Sequence, residues 1–122
     1  MSYSTKHADT LNDTAPNSME FNKIYNQQLH FQQRLQITPS VESMKDQIMC
    51  LIAEATEALN ELPWKHWKKN QVANIPKFQD ELVDVQLFLL NLTAMSGMTI
   101  DQFLVKCADK QQINTQRQKD NY

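Results

Sequence analysis

Apolar and polar positions alternate along the chain in four helical stretches, separated by short breaks. The first stripe, Phe21, Ile24, Leu29, Phe31 and Leu35, is imperfect, but it predicts a helix over 18–36. The rest of that stretch is rich in amides: Asn26, Gln27, Gln28, Gln32, Gln33 and Gln36. "TPS" then breaks the pattern. Thr38 suits an N-cap and Pro39 a first helical position. Met44, Ile48, Leu51, Ile52, Ala55, Leu59 and Leu62 follow on one face and predict a second helix over 39–62, ended by Pro63. "WKHWKKNQVANIP" reads as a loop. A third helix over 76–96 carries Phe78, Leu82, Val83, Val85, Leu87, Phe88, Leu89, Leu90 and Leu92 nearly all round, which predicts the central, most buried element. Its polar notch contains Asp80, Glu81, Asp84 and Asn91. Gly97 follows as a natural residue for the turn out of that helix. Thr99 with Gln102 forms a capping box for a fourth helix over 100–112. The terminal "KQQINTQRQKDNY" either continues that helix or unwinds.

Four such segments with short links predict an all-α subunit, an antiparallel four-helix bundle. Residues 1–17 are polar and read as a flexible tail, which leaves 18–122 as one domain. The chain's 122 residues fit one modest core, and its single glycine leaves little scope for hairpins, Gly-rich phosphate loops or a Rossmann fingerprint. A central helix that is apolar all round wants cover on every side, so a homodimer or homotetramer is expected. The net charge of −2 gives no basic bias, and nucleic acid is not an expected partner. No apolar run is long enough to span a membrane. Cys50 and Cys107 are far apart and in apolar company, so free, largely buried thiols are expected, not a zinc site. The start of the chain lacks a signal-peptide core, so a cytoplasmic address follows by default, the host cytoplasm included if the gene is viral.

The candidate chemistry begins with spacing. Glu54 and Glu57 are three apart on the second helix, and Glu81 and Asp84 repeat that spacing on the third. Each pair lies about 60° apart on its helix and about 4.5 Å apart along the axis. Four carboxylates from two neighbouring helices can converge on a hard cation, and Mg²⁺ suits such an oxygen site best. Without a cation they repel one another and resist ionisation. An E-x-x-E pair alone is more often a solvated face than a ligand set. Glu81 and Asp84 are harder to dismiss, because an acid in a narrow polar strip needs a partner. Lys77, Lys106 and Lys110 are the competing cations. In the loop, Trp64 and Trp67 either cap the core or close a pocket, while Lys65, Lys68 and Lys69 either face solvent or meet phosphates. Lys110, Asn114 and Arg117 share one helical face, as phosphate contacts or as a basic turn that complements the helix dipole.

Glu54-x-x-Glu57 followed, after residues 58–80, by Glu81-x-x-Asp84 resembles the E-x-x-E…E-x-x-D signature of the all-α nucleoside triphosphate pyrophosphatases. That superfamily includes MazG-like enzymes, dCTP pyrophosphatases and dimeric dUTPases. "WKHWKK", "LHFQQRL" and "KQQINTQRQKDNY" look like motifs of the dimeric dUTPase branch. The resemblance spans about residues 21–122. It implies that Glu54, Glu57, Glu81 and Asp84 bind Mg²⁺, and that Glu54 or Glu57 also orients and deprotonates the attacking water. It implies that Lys110, Asn114, Arg117 and Tyr122 contact phosphate and sugar, that Gln32 contacts the uracil edge, and that His66, Trp67 and Lys68 line the nucleotide pocket. The departures are Gln111 for an asparagine, Asn121 for a glycine, Gln36 for a sugar-facing asparagine, and Gln86 and Leu87 where some members carry Trp and His near the base.

The expected activity is therefore hydrolysis of a deoxynucleoside triphosphate, dUTP first, to the monophosphate and pyrophosphate. The nearest alternative is the same chemistry on dCTP or on a broad range of dNTPs. An alternative of another class is a non-enzymatic helical module that binds a protein through its glutamine-rich first helix and its tryptophan loop.

Overall fold

A computed structural model of the chain describes residues 18–120, with side chains from Glu20 onward. Helix α1 spans Ser18–Arg34, α2 Val41–Asn60, α3 Ile75–Met95 and α4 Ile100–Lys119. Among the described residues there is no strand, and the all-α, four-helix reading of the sequence holds. The tail at 1–17 and the residues at 121–122 lie outside the description. No single described helix is long and apolar enough to cross a membrane.

Local chemistry sets the boundaries. Helix α1 ends in a Schellman turn: Ile37 N–H donates to Gln32 O at 3.0 Å and Gln36 N–H to Gln33 O at 3.0 Å. Gln36 occupies the left-handed position of that turn, with φ 58°. Helix α3 ends in the same way, with Met98 N–H on Thr93 O at 3.2 Å and Gly97 N–H on Ala94 O at 3.0 Å. There the left-handed position is Gly97, as the sequence predicts, with φ 85°.

Two helix starts differ from expectation. Helix α2 is capped by Ser40, not Thr38, and Pro39 stays in the linker. The reason is a reciprocal box: Ser43 N–H donates to Ser40 Oγ at 3.0 Å and Ser40 N–H to Ser43 Oγ at 2.9 Å. Thr38 contributes only its carbonyl, which accepts from Ser43 Oγ at 2.8 Å. Helix α3 is capped by Asn74, whose side chain accepts from Lys77 N–H at 3.2 Å, so Pro76 falls just inside the first turn. The Thr99–Gln102 box starts α4 as expected. The stretch after Gln112 is helical, and α4 runs to Lys119.

Helices α2 and α3 make the principal pairing, and α1 lies on α3. Tyr25 ties α1 to the α3–α4 turn through its hydroxyl, which donates to Met98 O at 2.9 Å. Burial raises the Tyr25 pKa. The chain turns by 109° between α3 and α4. Ile100, only 2% exposed, plugs that junction and stabilises it by roughly 2 kcal/mol. After the buried Ile100, Phe103 and Cys107 of α4 are half-buried and every other described residue of that helix is exposed.

The core within one chain is small. Its buried apolar members are Ala58, Leu90, Met95 and Ile100. Leu82, Val83 and Leu89 on α3 stay exposed, and so do Val41, Ile48, Met49 and Ile52 on α2. The even spread of apolar residues round α3 therefore does not correspond to burial on all sides within one subunit. Trp64 and Trp67 are also exposed and do not cap the core. Cys50 is exposed and Cys107 half-buried, which corrects the expectation of two largely buried thiols.

Candidate functional site

The pairing of α2 with α3 brings the acids together. Glu54 and Glu57 on α2 and Glu81 on α3 each offer a carboxylate oxygen, and these oxygens lie within 4.8 Å of one another. Helical spacing puts the first two on one face, and the packing of α3 supplies the third. Asp84 stands outside that trio, one turn further along α3, but its charge acts on it. The Glu54 carboxyl is pushed above its ordinary value of 4.5 by burial first, then by the charge of Glu57 and a hydrogen bond with it, and then by Asp84 and Glu81. Glu81 is raised for the same leading reason, burial, with the charges of Glu57 and Asp84 next.

None of the competing lysines neutralises the cluster. Lys77 pairs with Glu61 at 3.4 Å, at the end of α2. No ion pair joins Lys106 or Lys110 to Glu81 or Asp84 among the described residues. Three carboxylates this close, two of them with a pKa raised by burial and by their neighbours' charge, fit a hard divalent cation, which would relieve the repulsion.

Asp84 also faces a second feature. A cavity of about 360 Å³ opens between α1, α2 and α3, with Asp84, Gln32, Phe31, Phe88, Gln47 and Asn91 in its lining. Gln32 is 5% exposed, and its Nε2 is buried with no hydrogen-bond partner among the described residues. Ile37, carried inward by the Schellman turn after α1, closes the cavity beside it. An unmade hydrogen bond of this kind costs about 1–3 kcal/mol, and a ligand that accepts from Gln32 recovers it. Asp84 thus borders the cavity and acts by its charge on Glu54 and Glu81 of the acid cluster.

The remaining sequence-predicted residues lie elsewhere in the subunit. His66, Trp67 and Lys68 sit in the loop after α2 and are exposed. Trp67 stands edge-on to His66 at 5.1 Å and to Trp64 at 5.7 Å. The Gln71 side chain pins the loop by donating to the carbonyls of Lys65 and Lys68. Lys68 and Trp64 line a depression of about 230 Å³ there, apart from the Gln32 cavity. Lys110, Asn114 and Arg117 share a face of the exposed second half of α4, a helix that makes neither of the principal pairings. Tyr122 lies outside the described residues. Sequence reasoning missed Gln47 altogether, read Gln28 as part of an amide-rich surface and placed Asn91 in the polar notch of α3. The available signal was amide residues interrupting apolar helical faces.

No curated protein and no solved structure gives a significant match to the chain. A family model described as dUTPase matches residues 19–97, a span that holds both acid pairs, the whole cavity and the tryptophan loop. On that match, which covers more than half its length, the chain belongs to the all-α dimeric dUTPase family.

Proposed function

We propose that the chain is a Mg²⁺-dependent pyrophosphohydrolase that splits dUTP into dUMP and pyrophosphate. The observation that carries this reading is the junction at Asp84. One side of it holds three carboxylates within 4.8 Å, and the other a cavity with an unpartnered buried amide. A nucleotide laid across that junction would put its base beside Gln32 and its phosphates at the acids.

Glu54, Glu57 and Glu81, with Asp84 beside them, would hold Mg²⁺. When bound, the ion supplies charge neutralisation at the phosphate oxygens and makes water more acidic. Glu54 or Glu57 orients the attacking water and takes its proton. Asp84 helps hold the cluster and borders the sugar end of the cavity. Lys110, Asn114 and Arg117 would steady the leaving phosphates. Their place on a helix face left exposed supports a homodimer or homotetramer in which a second copy supplies them. The exposed apolar faces of α2 and α3 support the same assembly.

A panel of dUTP, dCTP, dTTP, dATP and dGTP with Mg²⁺, read by pyrophosphate release, tests the proposal. The expected result is preferential turnover of dUTP. Equal turnover of dTTP and dUTP would remove the dUTPase assignment, and preferred turnover of dCTP would move it to that base. No pyrophosphate release from any dNTP would reject the enzyme reading in favour of a binding module.

A further inference from the structure

Helix α4 leaves the subunit as an arm. It makes neither of the principal helix pairings, and past Cys107 every described residue of it is exposed. Its direction is therefore set at the bend of 109° after α3. Both helices are capped right up to that bend. The turn that ends α3 takes the N–H groups of Gly97 and Met98, and the box that starts α4 takes the N–H of Thr99, which donates to Gln102 Oε1 at 3.0 Å. Met98 is thus the link between two rigid ends, and rotation about its backbone swings the arm. On one side the bend opens onto a depression of about 690 Å³, with Gly97, Gln102, Val105 and Asp109 in its lining, so the described residues do not brace α4 there. Ile100 fills the junction, but burial of apolar surface is non-directional. The directional contact comes from α1: Tyr25 Oη donates to Met98 O at 2.9 Å in a part-buried setting.

We infer that Tyr25 is a positioning residue: its hydroxyl locks the Met98 link and so fixes where α4 presents Lys110, Asn114 and Arg117. Helix α1 is itself anchored. Gln28, one turn on from Tyr25 and on the same face, donates through Nε2 to Asn91 Oδ1 of α3 at 2.9 Å, and Asn91 Nδ2 donates to Gln47 Oε1 of α2 at 3.4 Å. Gln28 and Gln32 line the cavity at Asp84, so the helix that lines the cavity also holds the arm. Lys110 lies about 15 Å along α4 from Ile100. A swing of roughly 20° at Met98 would move it by about 5 Å, more than a hydrogen bond tolerates. The inference rests on the nucleotide reading for what α4 presents, but not for what Tyr25 holds.

Spin-label distances and ligand binding, both on the full chain, test it. One label pair, Gln79→Cys on α3 with Gln112→Cys on α4, reports the arm. Another, Gln27→Cys on α1 with Gln79→Cys, reports the body of the subunit; all three positions are exposed. Each pair is read with Cys50→Ala and Cys107→Ala, diluted into unlabelled protein so that only distances within one chain are seen. Tyr25→Phe keeps the ring and removes the hydrogen bond. It should about double the width of the arm distribution and leave the body distribution unchanged. With Mg²⁺, the non-hydrolysable α,β-imido-dUTP should bind Tyr25→Phe about fivefold more weakly, whereas dUMP, which has no leaving phosphates for α4 to reach, should bind as to the wild type. An unchanged arm width would overturn the inference, and so would imido-dUTP binding that stays at the wild-type level. Broadening of both label pairs, or an equal loss of both ligands, would overturn it too, since a merely structural tyrosine would give that. An arm that broadens alone, in a protein that binds neither nucleotide, would sink the nucleotide reading and leave Tyr25's hold on α4 standing. Hydrolysis of dUTP with the arm width unmoved in Tyr25→Phe would do the reverse.

Discussion

Asp84 and Asn91 stand two helical turns apart on one face of α3, and both line the same cavity. One end of that face answers to the acid cluster, since Asp84 raises the pKa of Glu54 and of Glu81. The other end is an amide tied to two glutamines. A single helix face thus carries a carboxylate that acts on the acid cluster at one end and a hydrogen-bonded amide at the other.

Neutralising one acid should separate activity from stability. Glu57→Gln and Glu81→Gln should each lower kcat by at least about 100-fold while leaving the helical circular dichroism unchanged. The charge of Glu57 raises both Glu54 and Glu81. The metal-free Glu57→Gln protein should therefore melt no lower than the metal-free wild type, because the substitution removes repulsion. Wild-type turnover in both variants, measured with saturating Mg²⁺, would rule out the acid cluster as the metal site.

The burial of Glu54 and Glu81, with the charge of their neighbours, predicts a pH dependence with a definite sign. The folded-state pKa values of Glu54 and Glu81 lie above the ordinary 4.5, so the folded protein holds more protons than the unfolded chain once pH rises past that value. Stability then falls as pH rises through the window between the ordinary and the raised values, and the penalty is complete above it. In EDTA, the Tm difference between wild type and a Glu54→Gln, Glu81→Gln double variant should widen against the wild type as pH rises. Mg²⁺ favours the charged carboxylates and should close that gap in the wild type alone. A flat difference in EDTA would mean that neither burial nor neighbouring charge disfavours the ionised carboxylates.

The two Schellman turns make a matched pair for a backbone test. Gly97 sits at φ 85°, and a Cβ there would meet nothing within 4 Å, so any cost of Gly97→Ala comes from the backbone alone. That cost should be about 1 kcal/mol. Gln36 has the corresponding conformation, φ 58°, with a side chain in place. Gln36→Gly should therefore stabilise, by about 0.5–1 kcal/mol, since relief of the left-handed strain outweighs the added freedom of the unfolded chain. Urea titrations of the two variants should move the midpoint in opposite directions at constant m. A destabilised Gln36→Gly would show that the Gln36 side chain contributes more to the fold than its backbone costs.

These particulars show where the sequence was legible. The helices were readable because Pro63, Gly97 and the Thr99–Gln102 box act within a few residues of their own positions. The first turn of α2 was misplaced by two residues because Thr38 and Ser40 are equally good caps by type, and only the reciprocal bond to Ser43 chooses between them. The acid pairs were readable because i, i+3 spacing fixes a face, and the third carboxylate followed once α2 and α3 were neighbours. The Gln28–Asn91–Gln47 chain was not readable, since it joins three helices and no local pattern reports which glutamines in an amide-rich sequence turn inward. The central place of α3 was readable, since α1 and α2 both pack on it and it holds the buried Leu90, Asn91 and Met95, but an apolar sequence reports what a helix needs covered, not what its own chain covers.

The exposed second half of α4 leads to a test of the assembly. Lys110, Asn114 and Arg117 lie beyond the last half-buried residue of α4, Cys107, while the acids lie in the α2–α3 pairing. If a second copy supplies these phosphate contacts, each active site contains acids from one chain and bases from another. Glu57→Gln and a Lys110→Ala, Arg117→Ala double variant should each be inactive when purified alone. Mixed after reversible unfolding, they should recover about a quarter of wild-type activity, because half of randomly formed dimers hold one site with both sets intact. Dilution should abolish the recovery at the concentration where light scattering shows the assembly separating. Absence of any recovery in a mixture proven to exchange subunits would place acids and bases of each site on one chain, which would require α4 to swing back onto its own α2–α3 pair when nucleotide binds.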